Sequence, residues 1–337
     1  MSPEDTTSPV ANTSTPYVAG HVMSLTNSEG DNMSVTVTNL YPITMSSVMD
    51  VRIQTNKGLQ EAILKLYDRR FGEIRKEGAY VPEKPHTQRA EAAWQDYIRE
   101  GLTKDLFDHL KHEDKRNKET IYYDSDSDED ITEWERLGRR EATIYHKARK
   151  HFTSEVEAYE QLQALQGRCV PRFISSVTLK MPSIPSDLPS IYFQVPGILL
   201  QKIQGFNLTE LVSFLPNEPQ LWEEIIQNAV NAAYEINHAG VLNFDGAPRN
   251  VVVERINDRT FQPFLIDFAM SACKWQYKDT EDLHDPRGFR SNANLIDNGA
   301  AVGLVIASRV KRETGLKPKI TYMLPWPYDA SNDHASD

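Results

Sequence analysis

The chain has 337 residues, of which 39% are hydrophobic, so it is long enough to bury a sizeable core in one large two-lobed domain or in two ordinary ones. Its 37 Lys and Arg residues are outnumbered by 48 Asp and Glu residues, and the formal net charge of -11 argues against a nucleic acid or an acidic membrane as partner. Cys169 and Cys273 lack the spacing of a zinc site or of a disulfide framework.

The N-terminal sequence is acidic and rich in Ser, Thr and Pro, without the basic start and apolar run of a secretory signal. No stretch of the chain reaches the length of a membrane span. We therefore expect a cytoplasmic or nuclear protein in a reducing compartment, with no membrane and no nucleic-acid partner.

The first predicted elements are a tail and three strands. Residues 1–32 are polar and poor in aromatic side chains, so we expect a disordered tail that cannot offset the entropy of ordering. Strand-forming runs over 35–43, 48–54 and 59–67 then predict an antiparallel meander.

Residues 72–150 are charged and helical in pattern, and we interpret them as an insertion. One amphipathic helix is predicted by apolar residues that share a face, namely Trp94, Ile98, Leu102, Leu106 and Leu110. The acidic run over 124–130 predicts a solvated linker, because so dense a block of like charge resists packing. A second long helix is predicted over 131–165.

The remaining elements complete the predicted organisation. Strands are expected over 173–180 and 191–203, and a helix over 220–238 is expected to end at Gly240. The predicted division of the chain is a first lobe over 33–203, which contains the insertion, a second lobe over 204–327 and a tail over 328–337.

Four polar residues carry the chemical signal. Asp245 and Asn250 share a loop after the predicted helix, Asp267 follows a short apolar strand, and Lys65 lies near the end of the third strand. In phosphoryl transfer, one Asp orients or deprotonates the acceptor hydroxyl, an Asn and a second Asp hold magnesium, and a Lys neutralises the nucleotide phosphates. Asp245 fits the first role, Asn250 and Asp267 fit the metal-binding roles, and Lys65 fits the last.

The order of these motifs is that of a known family. INHAGVLNFDGAPRN over 236–250 resembles the catalytic loop of the eukaryotic protein kinases, and FLIDFAM over 264–270 resembles their Asp-Phe-Gly motif. With Glu-x-x-x-Tyr-x-x-Leu over 155–162 and QGRCVPR over 166–172, the chain is most similar to the divergent fungal protein-kinase-like proteins.

The resemblance implies a bilobal α+β protein-kinase-like fold, with an antiparallel five-stranded N-lobe and a mainly helical, shortened C-lobe. It implies ATP and Mg2+ as cofactors and an unidentified protein substrate that accepts on Ser or Thr. Asp245 would be the catalytic base with Arg249 in the same loop, and Asn250 and Asp267 would hold the metal. The implied ATP-binding residues are Lys65, its ion-pair partner Glu155 (with Glu157 as the fallback), and the hinge residues Leu200, Gln201 and Ile203.

Several positions depart from the kinase pattern. Asn243 replaces the loop histidine and is expected to weaken the apolar packing around the metal motif, and Ala269 replaces the glycine. Residues 32–57 contain no glycine, so the first predicted hairpin cannot approach phosphates through bare backbone, and Ser46 and Ser47 would offer hydroxyls or amides instead. Asp297 or Asn298, on a buried helix, is expected to brace the catalytic loop.

Three functions remain open. The first is an active ATP-dependent kinase. The second is a pseudokinase, a nucleotide-binding or partner-binding module, which the missing Gly-rich loop and the short second lobe favour. The third is a small-molecule kinase of the aminoglycoside or choline type, whose larger acceptor lobe this chain lacks.

Overall fold

The computed structural model describes residues 16–55, 58–76, 84–116, 131–181 and 184–326. The chain divides into two compact units. The first comprises residues 1–60, 64–149 and 177–197, and the second comprises residues 61–63, 150–176 and 198–337.

A closed antiparallel barrel of six strands opens the fold. The strands are β1 Val22–Asn27, β2 Asn32–Leu40, β3 Ser47–Thr55, β4 Gly58–Leu66, β5 Phe173–Lys180 and β6 Gln194–Gln201. They pair in the order β1, β2, β3, β4, β6, β5. β1 closes the barrel, because Leu25 lies opposite Met33 of β2 on one side and opposite Leu179 of β5 on the other.

This barrel contradicts the bilobal protein-kinase-like fold with an antiparallel five-stranded N-lobe that the sequence suggested. The added strand, β1, lies inside residues 1–32, so the predicted disordered tail is wrong from residue 16 onward. Met23 and Leu25 are buried in β1 while Val22 is exposed, and this alternation was hidden by the polar average composition. Residues 1–15 lie outside the described part of the chain.

Three helices follow β4: α1 Gln88–Arg99, α2 Thr103–Arg116 and α3 Glu133–Gln161. The single helix that we predicted across the first two is wrong, because Gly101 adopts a φ of +73° between them. α3 begins and ends within a few residues of the second predicted helix but crosses residue 150, the predicted end of the insertion. The acidic run over 124–130 lies outside the described residues.

A buried ion cluster anchors these helices inside the first unit. Arg75 and Glu141 form two hydrogen bonds of 2.6 and 3.0 Å, and both residues are at most 1% exposed. Arg69 donates to Glu141 at 2.8 Å and also pairs with Glu91 on α1. α1 and α3 are therefore tied to the segment that leaves β4.

The second unit is mainly helical with two small sheets. Its remaining elements are β7 Gly205–Asn207, α4 Leu211–Phe214, α5 Pro219–His238, β8 Val241–Asn243, β9 Val251–Arg255, β10 Phe261–Leu265, β11 Ser271–Cys273, α6 Phe289–Ile296 and α7 Asn298–Thr314. β10, β9 and β7 form one sheet, and β11 pairs with β8. α5 lies where a helix was predicted and packs against α7.

Candidate active site

The loop between β8 and β9 holds Asp245, the predicted base. Its Oδ1 accepts from the guanidinium of Arg249, and its Oδ2 accepts from Asn250 Nδ2 at 3.0 Å. Asn250 Nδ2 also donates to the Asp245 carbonyl at 2.9 Å, so the loop closes on itself. The Asp245 side chain is 25% exposed, so a ligand can reach the carboxylate from solvent.

The β9–β10 hairpin brings Asn250 close to Asp267 in space. Val251 pairs with Leu265, and just beyond this pair the N–H of Ile266 donates to the Asn250 carbonyl at 2.9 Å. Asp267 comes next and has a φ of +65°, in the left-handed region that residues other than glycine seldom adopt. Strained backbone of this kind is concentrated at functional sites.

Asn243 connects the two aspartates, a role that the kinase-like motifs did not predict. Its Nδ2 donates to the Asp267 carbonyl at 3.0 Å, and its Oδ1 accepts from the Asp245 N–H at 2.9 Å. The apolar packing that Asn243 was expected to weaken is present, since Tyr159 and Phe268 are fully buried with ring centroids 5.4 Å apart. Asn side chains often accept from the N–H two residues on, as in an Asx turn, and this preference is the sequence signal for the bond to Asp245.

Asn298, at the start of α7, braces this loop as expected. Its Oδ1 accepts from the Asn243 N–H at 3.1 Å and from Asn237 Nδ2 at 2.8 Å, and its Nδ2 donates to the Asn243 carbonyl at 2.5 Å. A Cβ on Gly246 would lie only 2.8 Å from Asn298 Nδ2, so this close approach requires glycine. Asp297 instead caps α7 by accepting from the Ala300 N–H at 3.0 Å.

Glu155 of α3 reaches the same region through the backbone after Asp267. The residue is fully buried, and its Oε1 accepts from the Phe268 N–H at 3.2 Å. The fallback residue, Glu157, contacts Gln276 instead, where Gln276 Nε2 donates to its Oε2 at 3.3 Å. Desolvation raises the pKa of Glu157, with a smaller contribution from the charge of Glu160.

The predicted ATP-binding residues are distributed over both units. Lys65 belongs to the first unit, on β4; it is 5% exposed, and its Nζ lies 5.5 Å from the ring centroid of Tyr67. Leu200 is buried in the core of the second unit. The Gln201 N–H donates to the Arg172 carbonyl at 2.8 Å, so this N–H is already engaged. The Ile203 backbone makes no hydrogen bond to any other residue that the structure describes.

The donor set fits magnesium better than a transition metal. Asn250 and Asp267 supply oxygen atoms, and Mg2+ is typically held by one or two carboxylates together with substrate phosphates and water. Among the described residues, no group of three or more His, Cys, Asp or Glu side chains is arranged to hold a metal ion. A metal at this site would therefore depend on the nucleotide for the rest of its ligands.

The first hairpin does not offer the hydroxyls that the sequence suggested. Ser46 and Ser47 are each only 3% exposed. The Thr44 carbonyl in the same hairpin accepts from the Glu73 N–H at 2.7 Å, which ties the hairpin to the segment after β4. The two serine hydroxyls therefore present little surface to a ligand in this structure.

The chain was compared with models of known protein families and with curated proteins, and neither comparison finds a match. Within the described ranges, no helix combines the length and apolar character needed to cross a bilayer.

Proposed function

We propose that the chain is an ATP- and Mg2+-dependent phosphotransferase that moves the γ-phosphoryl group to a hydroxyl acceptor, with protein Ser or Thr as the acceptor class. The observation that carries this proposal is the convergence of Asp245, Asn250 and Asp267, which share hydrogen bonds through Asn250 and Asn243. A carboxylate that solvent can reach, beside an amide and a second carboxylate, supplies a proton acceptor and two oxygen ligands for magnesium.

Each residue has one task in this proposal. Asp245 accepts the proton of the acceptor hydroxyl while the hydroxyl oxygen bonds to the γ-phosphorus and the bond to the bridging oxygen of ADP breaks. Arg249 holds the Asp245 carboxylate in orientation through their ion pair. Asn250 and Asp267 bind Mg2+, which supplies charge neutralisation on the phosphates. Lys65 is assigned to the α and β phosphates, and Glu155 fixes the backbone after Asp267.

Asp245→Asn tests the assignment of the base. We expect the variant to lose at least about 100-fold in the rate of phosphoryl transfer, because general-base catalysis contributes about 10²- to 10⁴-fold. Nucleotide binding should change little, since the amide keeps the size of the side chain. The measurement is transfer of radiolabelled phosphate to a mixture of protein acceptors, paired with ATP binding by calorimetry.

Asp258→Asn is the matched control, because Asp258 is 95% exposed on the β9–β10 turn and pairs only locally with Arg255. This control should transfer phosphate at the wild-type rate. Equal transfer by the Asp245 variant and by the wild type would show that Asp245 is not the base. Transfer to small aminoalcohols or aminoglycosides but not to proteins would move the acceptor to the small-molecule class.

A catalytically impaired binding module is the second candidate function. Ser46 and Ser47, between β2 and β3, are buried, and residues 32–57 contain no glycine, so this hairpin lacks the bare backbone of a Gly-rich phosphate-binding loop. The discriminating measurement is thermal stability with ATP and Mg2+, since a ligand at 100 times its Kd stabilises the folded state by about 2.7 kcal/mol. A shift without any transfer would favour a nucleotide-binding module, and no shift at millimolar ATP would favour a partner-binding module.

A further inference from the structure

α3 presents two side chains, one helical turn apart, to the turn that follows Asp267. Glu155 accepts from the Phe268 N–H at 3.2 Å, and His151 Nδ1 lies 3.0 Å from the Ala269 carbonyl oxygen. Residues four apart project from the same face of a helix, so one face of α3 contacts consecutive residues of the turn. No motif in the sequence had singled out His151.

The direction of the His151 hydrogen bond follows from its partner. A carbonyl oxygen only accepts, so Nδ1 carries the proton and donates. His151 and Ala269 are 118 residues apart in the sequence, so their hydrogen bond fixes the end of the turn to a helix that is distant along the chain. Ser271 Oγ adds a longer contact of 3.4 Å to the Ser154 carbonyl of α3.

The turn needs such support because of Asp267. A φ of +65° is costly for an aspartate, and backbone in this region persists when the surrounding structure holds it. Asn243 holds the Asp267 carbonyl at 3.0 Å on one side, and His151 and Glu155 hold the next two residues on the other. The direction of the Asp267 carboxylate is set by contacts on both sides of the residue.

We propose that His151 is a positioning residue that fixes the metal-binding geometry of Asp267 through the Ala269 carbonyl. This inference rests on the proposed function, because it assigns His151 to the magnesium site of that function. The bond from His151 to the Ala269 carbonyl acts on the backbone that carries Asp267, so its effect should fall on Mg2+ affinity and not on the chemical step.

The test compares His151→Ala and His151→Asn with the wild type in the full chain. Loss of one hydrogen bond of ordinary strength should raise the half-saturating Mg2+ concentration about fivefold at saturating ATP, with kcat changed less than about twofold. Asn can place an N–H near the position of Nδ1, so His151→Asn should restore most of the Mg2+ affinity. Hydrogen exchange of the amides at 268–271 should be faster in His151→Ala and close to wild type in His151→Asn.

His146→Ala is the control on the same helix, because His146 stacks on Phe107 at 5.8 Å inside the first unit. It should leave the Mg2+ dependence unchanged. If the wild type is active and His151→Ala has the same half-saturating Mg2+ concentration, the positioning role is overturned and the proposed function stays intact. A general loss of active protein would lower the rate without moving that concentration, and this too would overturn it. A wild type that neither binds nor uses Mg-ATP would overturn the proposed function and this inference together.

Discussion

Asp267 has a left-handed backbone conformation and is also one of the two proposed Mg2+ ligands. Its φ of +65° is free of strain only for glycine and costs asparagine and aspartate less than other residues, but only aspartate also brings a negative charge to the position beside Asn250. The Ala269 N–H lies 3.4 Å from Asp267 Oδ1, so the side chain also turns back on its own backbone. The backbone conformation and the proposed binding of Mg2+ therefore both favour aspartate at this position.

Asp267→Asn separates these two requirements. Asparagine tolerates the left-handed region, so we expect the free energy of unfolding to stay within about 0.5 kcal/mol of wild type. The amide is a weaker ligand for Mg2+, so the half-saturating Mg2+ concentration should rise at least about tenfold. Urea unfolding and a Mg2+ titration of phosphate transfer measure the two effects. Asp267→Ala is the comparison variant and should be the less stable of the two, because alanine tolerates the left-handed region poorly. If Asp267→Ala were more stable than Asp267→Asn, the left-handed backbone would not limit the choice of residue at this position.

At the scale of elements, α5 and α7 position the loop that holds Asp245 through asparagine side chains. Asn237 of α5 and Asn298 of α7 are fully or almost fully buried; Asn237 Nδ2 donates to Asn298 Oδ1, and the Asn298 amide also bonds the Asn243 N–H and carbonyl. Gly299 and Gly303 let the helices approach, since a Cβ would lie 2.3 Å from Tyr234 Cζ at the first position and 2.6 Å from Val230 Cγ2 at the second. The loop therefore rests on helix packing rather than on its own short sequence.

Asn298→Ala should be strongly destabilising. The change leaves the Asn237 amide and the N–H and carbonyl of Asn243 without their partner, and each buried unsatisfied group costs about 1–3 kcal/mol. We expect a loss of about 2–4 kcal/mol in the free energy of unfolding, measured by urea denaturation. Asn231→Ala is the control on an exposed face of α5 and should cost less than about 0.5 kcal/mol.

Gly303→Ala tests how closely α5 and α7 pack. Alanine is the better helix former by about 1 kcal/mol, so a helix with free space at this position would be stabilised. Because the added methyl would meet Val230 and the ring of Tyr322, we expect destabilisation by about 1–3 kcal/mol. Ser308→Ala, at an exposed position of α7, should instead leave stability unchanged or slightly raised. Stabilisation by Gly303→Ala would show that α5 and α7 do not pack this closely.

At the scale of the whole molecule, the sequence predicted most individual strands and helices but missed the pairing of strands that are far apart along the chain. β2 to β6 and α5 lie near their predicted positions, because apolar runs and turn residues are read over a few neighbours. β1 and barrel closure were missed, since Leu25 pairs with Leu179 and no local pattern reports such a partner. The motif spacing placed Asp245, Asn250 and Asp267 together, but it indicated neither His151 of α3 nor the hydrogen bonds of Asn243 to both aspartates.

The buried ion cluster of the first unit should make folding sensitive to acid. Burial alone would raise the pKa of Glu91, but hydrogen bonds and charge from His86 and Arg69 outweigh it and lower the pKa to about 2. The pKa of Glu141 is also lowered, because Arg75 and Arg69 outweigh its desolvation. A carboxylate whose pKa is lower in the folded state contributes stability above its unfolded pKa, near 4.5, and loses it as the pH falls toward the folded value.

Glu91→Gln should therefore be less stable than wild type by about 1–3 kcal/mol at pH 7, and the difference should shrink as the pH falls from about 5 to 3. Unfolding by urea, followed by circular dichroism at a series of pH values, measures this convergence. Glu133→Gln is the matched control, because Glu133 pairs with Arg89 on the surface with both side chains more than 60% exposed, and it should follow the wild type at every pH. A stability difference for Glu91→Gln that stays constant from pH 7 to 3 would mean that Glu91 is not ionised in the folded cluster.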